Sequence, residues 1–272
     1  MTTLQQQDLL TPVVAIAQAA GQRIMQVYQA GFDVWQKDDH TPLTEADQAA
    51  HAVIKEQLTQ LAPTIPLLSE EGRIANYAER SQWQHYWLID PLDGTKEFIK
   101  RNDEFTVNIA LIRNHVPVLG VVHAPALDKT WYAAHGVGAF KIENGTSSTI
   151  QTRSSAAPTV VMVSRSHRGE RIDALLQRME SVETQAVGSS LKFCLVAEGK
   201  ADLYPRFGPT SEWDSAAAQC VVEQAGGQVT TLDLQPLRYN TKASLLNPDF
   251  LVFGDNDYDW SQLLQGLHGE TR

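Results

Sequence analysis

The sequence predicts a layered protein of mixed elements, an α+β half followed by an α/β half. Three observations predict it. Helical periodicity fills much of residues 5–61, short apolar runs joined by turns occupy 86–142, and strand-like and helix-like runs alternate beyond 158. The 272 residues suffice for one large core or two modest ones, and a chain 43% hydrophobic and 20% charged is ordinary for a soluble globular protein.

The first element is a helix over Gln5–Tyr28, with Leu9, Val13, Ile16, Ala20, Ile24 and Val27 on one face. A strand or loop follows at Val34–Pro42. A second helix runs from Thr44 to Leu61, capped by Thr44 and stopped before Pro63. The apolar run Ile65–Leu68 precedes Glu70-Glu71, and Tyr86–Ile89 is a strand ending at Asp90-Pro91. Phe105–Ile112 and Val116–His123 are strands joined by a turn around Asn114. Trp131–Ala134 and Ala139–Ile142 form a hairpin across Gly136 and Gly138. Asn144–Pro158 has no apolar period and reads as a boundary dividing residues 1–153 from 154–272. In the second half, strands are expected at Val160–Ser164, Thr184–Val187, Ala201–Tyr204, Gln228–Thr231 and Phe250–Phe253. Helices are expected at Glu170–Met179, Ser190–Glu198, Trp213–Gln224 and Trp260–Leu267.

The formal net charge of −10 argues against nucleic acid as a partner, because phosphates are repelled overall. A small anionic substrate stays compatible, since bound cations can invert the local field. Two cysteines, Cys194 and Cys220, make neither a disulfide framework nor a four-thiolate zinc site. Met1–Asp8 lacks a basic region followed by an apolar core, and no run approaches the length of a membrane span. A cytoplasmic location is expected, with peripheral contact at the inner face of the membrane left open by composition.

Three acidic features carry the chemistry. Asp90-Pro91-Leu92-Asp93-Gly94-Thr95 places two carboxylates three residues apart around a proline and before a glycine turn. Such a turn presents Asp90, Asp93 and the Leu92 carbonyl to one point, the oxygen environment a hard cation prefers. Glu70-Glu71 follows an apolar run and can converge with Asp90 on one sheet edge. Trp213-Asp214-Ser215-Ala216-Ala217-Ala218 puts Asp214 in the first turn of a helix whose small residues permit close packing. Each feature alone also suits a solvated acidic turn; together they are more specific.

Together they resemble the inositol monophosphatase superfamily of lithium-sensitive, Mg²⁺-dependent phosphatases. Its pattern D-P-[IL]-D-G-T stands intact as DPLDGT, and W-D-x-A-A followed by E-A-G-G appears as WDSAA and then EQAGG at Glu223–Gly227, one residue longer. Leu68–Gly72 (LSEEG) supplies the acidic pair. Within the superfamily, Gly94–Ile112, Gly188–Gly199 and Leu203–Asp214 are most similar to the bacterial 3′(2′),5′-bisphosphate nucleotidases of CysQ type. The resemblance implies a layered αβαβα sandwich, the inositol monophosphatase-like (sugar phosphatase) fold. It also implies hydrolysis of the 3′-phosphate of adenosine 3′,5′-bisphosphate in sulfur assimilation, with its sulfated form as a further substrate, and a monomer or homodimer.

Residue by residue, the resemblance implies that Asp90 bridges two Mg²⁺ ions. Glu70 and the Leu92 carbonyl complete the first site, Asp93 and Asp214 the second, and Glu71 assists a third, weak ion. Thr95 and Glu70 orient the attacking water, and Asp47 stands behind them. Gly94, Lys96, His167, Ser189, Lys192 and Arg206 are the expected substrate contacts beside Glu70, Asp93, Thr95 and Asp214. Lys192 would add its charge to the positive end of a helix. The alternatives are an inositol monophosphatase or broad sugar phosphatase of the same fold, and a catalytically weak nucleotide-binding regulatory protein. Haloacid-dehalogenase phosphatases use D-x-D-G-T; the second residue between Asp90 and Asp93 misplaces the carboxylate for that chemistry.

Overall fold

The computed structural model describes residues 6–36, 42–165 and 169–266. Helix α1 (Gln6–Ala30) leads through strands β1 (Val34–Gln36) and β2 (Pro42–Thr44) into α2 (Glu45–Leu61). Thr44 caps α2: its hydroxyl accepts from Ala46 N, and its own N–H donates to Asp47 at 2.8 Å. The two helices bury Leu9, Val13, Ala17, Ala20, Ile24, Ala50, Ile54 and Leu58 against one face of a sheet.

That sheet has seven strands: β3 (Leu67–Ser69), β4 (His85–Asp93), β5 (Thr106–Arg113), β6 (Val116–Ala124), β7 (Lys129–Ala134), β8 (Gly138–Glu143) and β9 (Thr146–Thr149). They lie in chain order, and only β3 and β4 pair in parallel. Short helices α3 (Tyr77–Arg80) and α4 (Thr95–Ile99) flank β4; at one or two turns they carry too little periodicity to read from sequence. The second half contributes β10 (Thr159–Ser164), α5 (Glu170–Leu176), β11 (Val182–Val187), α6 (Leu191–Ala197), β12 (Leu203–Arg206), α7 (Glu212–Gln224), β13 (Gln228–Thr231), β14 (Phe250–Phe253) and α8 (Ser261–Leu264). Its sheet runs β11-β10-β12-β14-β13, with parallel and antiparallel pairs mixed as the alternation predicts.

Alternate faces of the strands sort these elements into layers. Trp87, Ile89, Val107 and Ile109 face α1 and α2, whereas Tyr86, Leu88, Ala110 and Val122 face α6 and α7. The far side of α6 and α7 meets Val160, Met162, Tyr204, Phe250 and Val252 of the second sheet. The opposite face of that sheet, with Val161, Val163, Leu203 and Leu251, packs on Ile172 and Leu175 of α5, Leu264 of α8 and Trp260 just before it. The order of layers is α-β-α-β-α.

Two differences from the expected elements have clear causes. Strand β4 does not stop at Asp90 but continues to Asp93, because a bulge absorbs Pro91: Asp90 pairs with Asn108 and Asp93 with Thr106. Strand β9 lies inside the stretch expected to be irregular; its four residues are all exposed on a sheet edge, so no apolar alternation betrays them. Helix α5 ends at Leu176, three residues early, and the predicted end of the last helix at Leu267 lies outside the described residues.

Candidate active site

The parallel register of β3 with β4 brings the acidic features together. Ser69 pairs with Ile89, and Glu70 N donates to Ile89 O at 3.2 Å, which sets Glu70 beside Asp90. In an unbroken strand, residues three apart point to opposite faces. The bulge adds one residue between Asp90 and Asp93, so both carboxylates turn to the same side. Leu92 N donates to Asp90 at 3.0 Å, and Gly94 adopts φ 91°, a left-handed turn that feeds Thr95 into α4.

Asp214 arrives from the other half. It is the third residue of α7, and its carboxylate accepts from Ser211 N at 2.9 Å in a capping box. One carboxylate oxygen from each of Glu70, Asp90 and Asp214 lies within 4.8 Å of the others. Burial, followed by the charges of Glu70, Asp93 and Asp214, holds the Asp90 carboxyl well above the usual carboxylate range. Asp214 is raised the same way, by burial and then by Asp93 and Glu70. Asp93 stands beside this trio rather than within it: burial lifts it to about 6, opposed by Lys192 and by the Ser190 N–H. An all-oxygen set of converging carboxylates whose charges cost free energy when left unpaired fits a hard divalent cation.

Behind the trio, Thr95 Oγ1 donates to Asp47 Oδ1 at 3.3 Å, with Leu92 O an alternative acceptor at 3.4 Å. Asp47 is also the third residue of its helix, and its other oxygen accepts from Thr44 N and Oγ1. Glu71 receives a hydrogen bond from Gln48 at 3.2 Å on the same side.

A cleft opens from Asp93 and Asp214 toward the second sheet. Gly94, Lys96, Ser189, Lys192 and Arg206 line it, and so do Glu97, Arg165 and Tyr204. Lys192 is buried, not a surface charge. Its Nζ donates to Val187 O (3.1 Å) and Ser189 O (2.6 Å) and lies 5.3 Å from the centre of the Tyr204 ring. Burial pushes this ammonium down to about 8, against the pull of Asp93. Arg206 is braced by Thr210 Oγ1 and Pro209 O. Ser189 has φ 47°, and its buried hydroxyl has no partner among the described residues. His167 lies outside the described residues.

No motif marked the polar chain that joins the halves: Ser190 Oγ donates to Asn108 Oδ1 (2.9 Å) and meets Thr106 Oγ1 (2.8 Å), while Asn108 Nδ2 reaches Asp93 at 3.5 Å. Nor did any mark Glu104, which receives Gly188 N and Arg165. The capping box of α7, in contrast, could have been found from Ser211 standing three residues before Asp214.

The model of the inositol monophosphatase family matches residues 5–263. The 3′(2′),5′-bisphosphate nucleotidase CysQ of Salmonella typhimurium is 52% identical over 246 residues, 90% of this chain and 99% of its own length. The CysQ nucleotidase of Haemophilus influenzae is 41% identical over 268 residues, 97% of this chain and 99% of its own. Among solved structures, CysQ from Bacteroides thetaiotaomicron superposes with a TM-score of 0.78 at 39% identity, covering 91% of this chain and 97% of that one. The Thermotoga maritima IMPase gives a TM-score of 0.76 at 26% identity, with 94% and 96% covered. By fold, by motif and by a match that spans nearly its whole length, this chain belongs to the inositol monophosphatase family.

Proposed function

We propose that the chain is a Mg²⁺-dependent 3′(2′),5′-bisphosphate nucleotidase that converts adenosine 3′,5′-bisphosphate to AMP, with the 5′-phosphosulfate form as a second substrate. Relatives above 50% identity bear that name. The observation that carries the reading is the meeting of the Glu70, Asp90 and Asp214 carboxylates at one end of a cleft whose walls hold Lys192 and Arg206. Carboxylates suit the metals; a buried lysine and a half-buried arginine suit a substrate that keeps a second phosphate.

Glu70, Asp90, Asp93, Asp214 and the Leu92 carbonyl would hold two to three Mg²⁺ ions. When bound, such ions offset phosphate charge and make water a stronger acid. The protein's own groups do the rest. Thr95 Oγ1 donates its hydrogen bond to Asp47 and so turns its lone pairs toward an incoming water held against Glu70. As the water oxygen bonds to phosphorus and the bond to the ribose 3′-oxygen breaks, the water's proton passes toward Asp47 through Thr95, and the 3′-oxygen is protonated from solvent. Ser189, Lys192 and Arg206 hold the nucleotide, with His167, Gly94 and Lys96 completing the contacts. Residues 1–153 thus supply the Thr95 pair and three of the carboxylates, and 154–272 supply Asp214 and most substrate contacts. The chain acts in the cytoplasm, as monomer or homodimer, on a small nucleotide.

The test is an assay of the purified protein with Mg²⁺ on adenosine 3′,5′-bisphosphate and on inositol 1-phosphate. A preference for the nucleotide is expected. A preference for the inositol ester would replace this function by the inositol monophosphatase one, and no turnover of either would favour a regulatory binding protein.

A further inference from the structure

Arg165 follows the last residue of β10 and lines the cleft with Lys192 and Arg206. Its guanidinium is held in a fork: Nε donates to Glu104 Oε2 at 3.1 Å, and Nη2 to Glu104 Oε1 at 2.5 Å and to Ala186 O at 2.9 Å. Glu104 lies on the loop before β5 and also accepts from Gly188 N at 2.7 Å. One carboxylate therefore ties together the first-half loop, the end of β10 and the turn that carries Ser189 and leads into Lys192 of α6. No room separates that turn from the loop, since a Cβ on Gly188 would lie 2.9 Å from Glu104 O.

An ordinary surface ion pair would expose both partners and order neither. Here exposure is unequal: the Arg165 side chain is 48% exposed and Glu104 only 18%. Glu104 is spent on three donors, whereas Nη1 of Arg165 has no partner among the described residues. The fork fixes the guanidinium plane in advance, so little side-chain entropy remains to be lost when Nη1 engages an anion.

We infer that Arg165 is a specificity-determining residue, which binds through Nη1 the substrate phosphate that is not hydrolysed, and that Glu104 is the positioning residue that aims it. The inference rests on the nucleotidase function proposed above. It predicts discrimination rather than chemistry: Arg165 acts on the 5′-phosphate and leaves the 3′-phosphate to the carboxylate end of the cleft.

The test compares kcat/KM for adenosine 3′,5′-bisphosphate and adenosine 3′-monophosphate, which share the scissile phosphate and differ in the second. In Arg165→Met the ratio should fall on the order of 10- to 100-fold, the scale of one charge-assisted hydrogen bond, through a higher KM for the bisphosphate. Turnover of the monophosphate should stay at the wild-type level. Arg165→Lys should restore part of the ratio, and Glu104→Gln should lower it less than Arg165→Met. Equal losses on both substrates, or an unchanged ratio with wild-type preference for the bisphosphate intact, would overturn the assignment of Arg165 alone. A wild-type enzyme that does not prefer the bisphosphate over inositol 1-phosphate would overturn the nucleotidase function, and this inference with it.

Discussion

Gly120 sits on β6 directly beneath α7, and the replacement Gly120→Ala tests whether that contact sets the active site. A Cβ at this position would lie 2.1 Å from Ala217 O and 2.8 Å from Cys220 Cβ. Contacts of this kind settle at about 3.5 Å, so helix and strand must part by about 1 Å. Neither the helix carbonyl nor the strand can rotate out of the way as a side-chain tip could. Overpacking on this scale costs about 1–3 kcal/mol, which for a chain of this size is roughly 2–12 °C in Tm. Ala217 is one turn from Asp214, whose carboxylate must stay with Glu70 and Asp90. A displacement of about 1 Å at a reacting centre can reduce kcat about 100-fold. Thermal unfolding and steady-state kinetics read the two effects. Gly169→Ala is the control, since its Cβ meets nothing within 4 Å among the described residues and its φ of −113° lies in the ordinary extended range. A Gly120→Ala protein with the Tm and kcat of the wild type would refute the idea that this close approach positions Asp214.

Further outcomes follow from the same structure. Asp90→Asn should lower kcat by at least about 100-fold, the scale of losing one preorganised electrostatic group. Because Asp90 is buried among like charges, the variant should also melt at or above the wild-type temperature in chelator and gain less from added Mg²⁺, which differential scanning fluorimetry would show. Millimolar Li⁺ should inhibit, by taking one of the Mg²⁺ positions; a titration of activity against Li⁺ checks this. Lys192→Met removes the donor to Val187 O and Ser189 O, and should raise KM for the bisphosphate about 10-fold or more in the same assay. His123 is buried against Thr130 and Lys129 O, and burial pushes its ring down to about 4. The unfolded chain then binds a proton between about pH 6.5 and 4 that the folded chain refuses, so this part of the stability is present above pH 6.5 and lost as pH falls toward 4. Relative to His123→Gln, the wild type should lose about 3 kcal/mol across that window; parallel melting curves from pH 7 to 4 would contradict it.

How much of this was legible depended on whether the interaction was local. DPLDGT could be read because its turn chemistry is contiguous, and Glu70 because the strand before it pairs in register with the strand before Asp90. The bulge could not be read. Nothing in Pro91-Leu92 says that the strand survives the proline, yet the bulge is what turns Asp93 to the same side as Asp90. Lys192 was marked as an expected substrate contact by the resemblance alone, and nothing in the sequence marked it as buried, because its ammonium is satisfied by carbonyls of the preceding turn, whose path depends on the tertiary fold. Glu104 and Arg165 were invisible: they are ordinary residue types 61 positions apart, joined only when the loop before β5 meets the neighbouring ends of β10 and β11. Strand β9 was missed for the opposite reason, since a solvated edge requires no apolar residue.

Asp47 and Asp214 show how a local rule can serve a distant purpose. Each is the third residue of a helix, and each accepts from the backbone N–H of its cap, Thr44 or Ser211. A carboxylate has two oxygens, and a capping box consumes one of them. The other is left at a fixed angle to the helix axis: on Asp47 it meets Thr95, and on Asp214 an oxygen stands with Glu70 and Asp90. Two helices packed on opposite faces of one sheet thus deliver their first-turn aspartates to the same strand end, with rotamers held by caps that would form in any helix beginning with these residues. The precision of the site then rests on where the helices lie. At α7 this is settled by Gly120, whose missing side chain lets Ala217 O come closer than any other residue would allow.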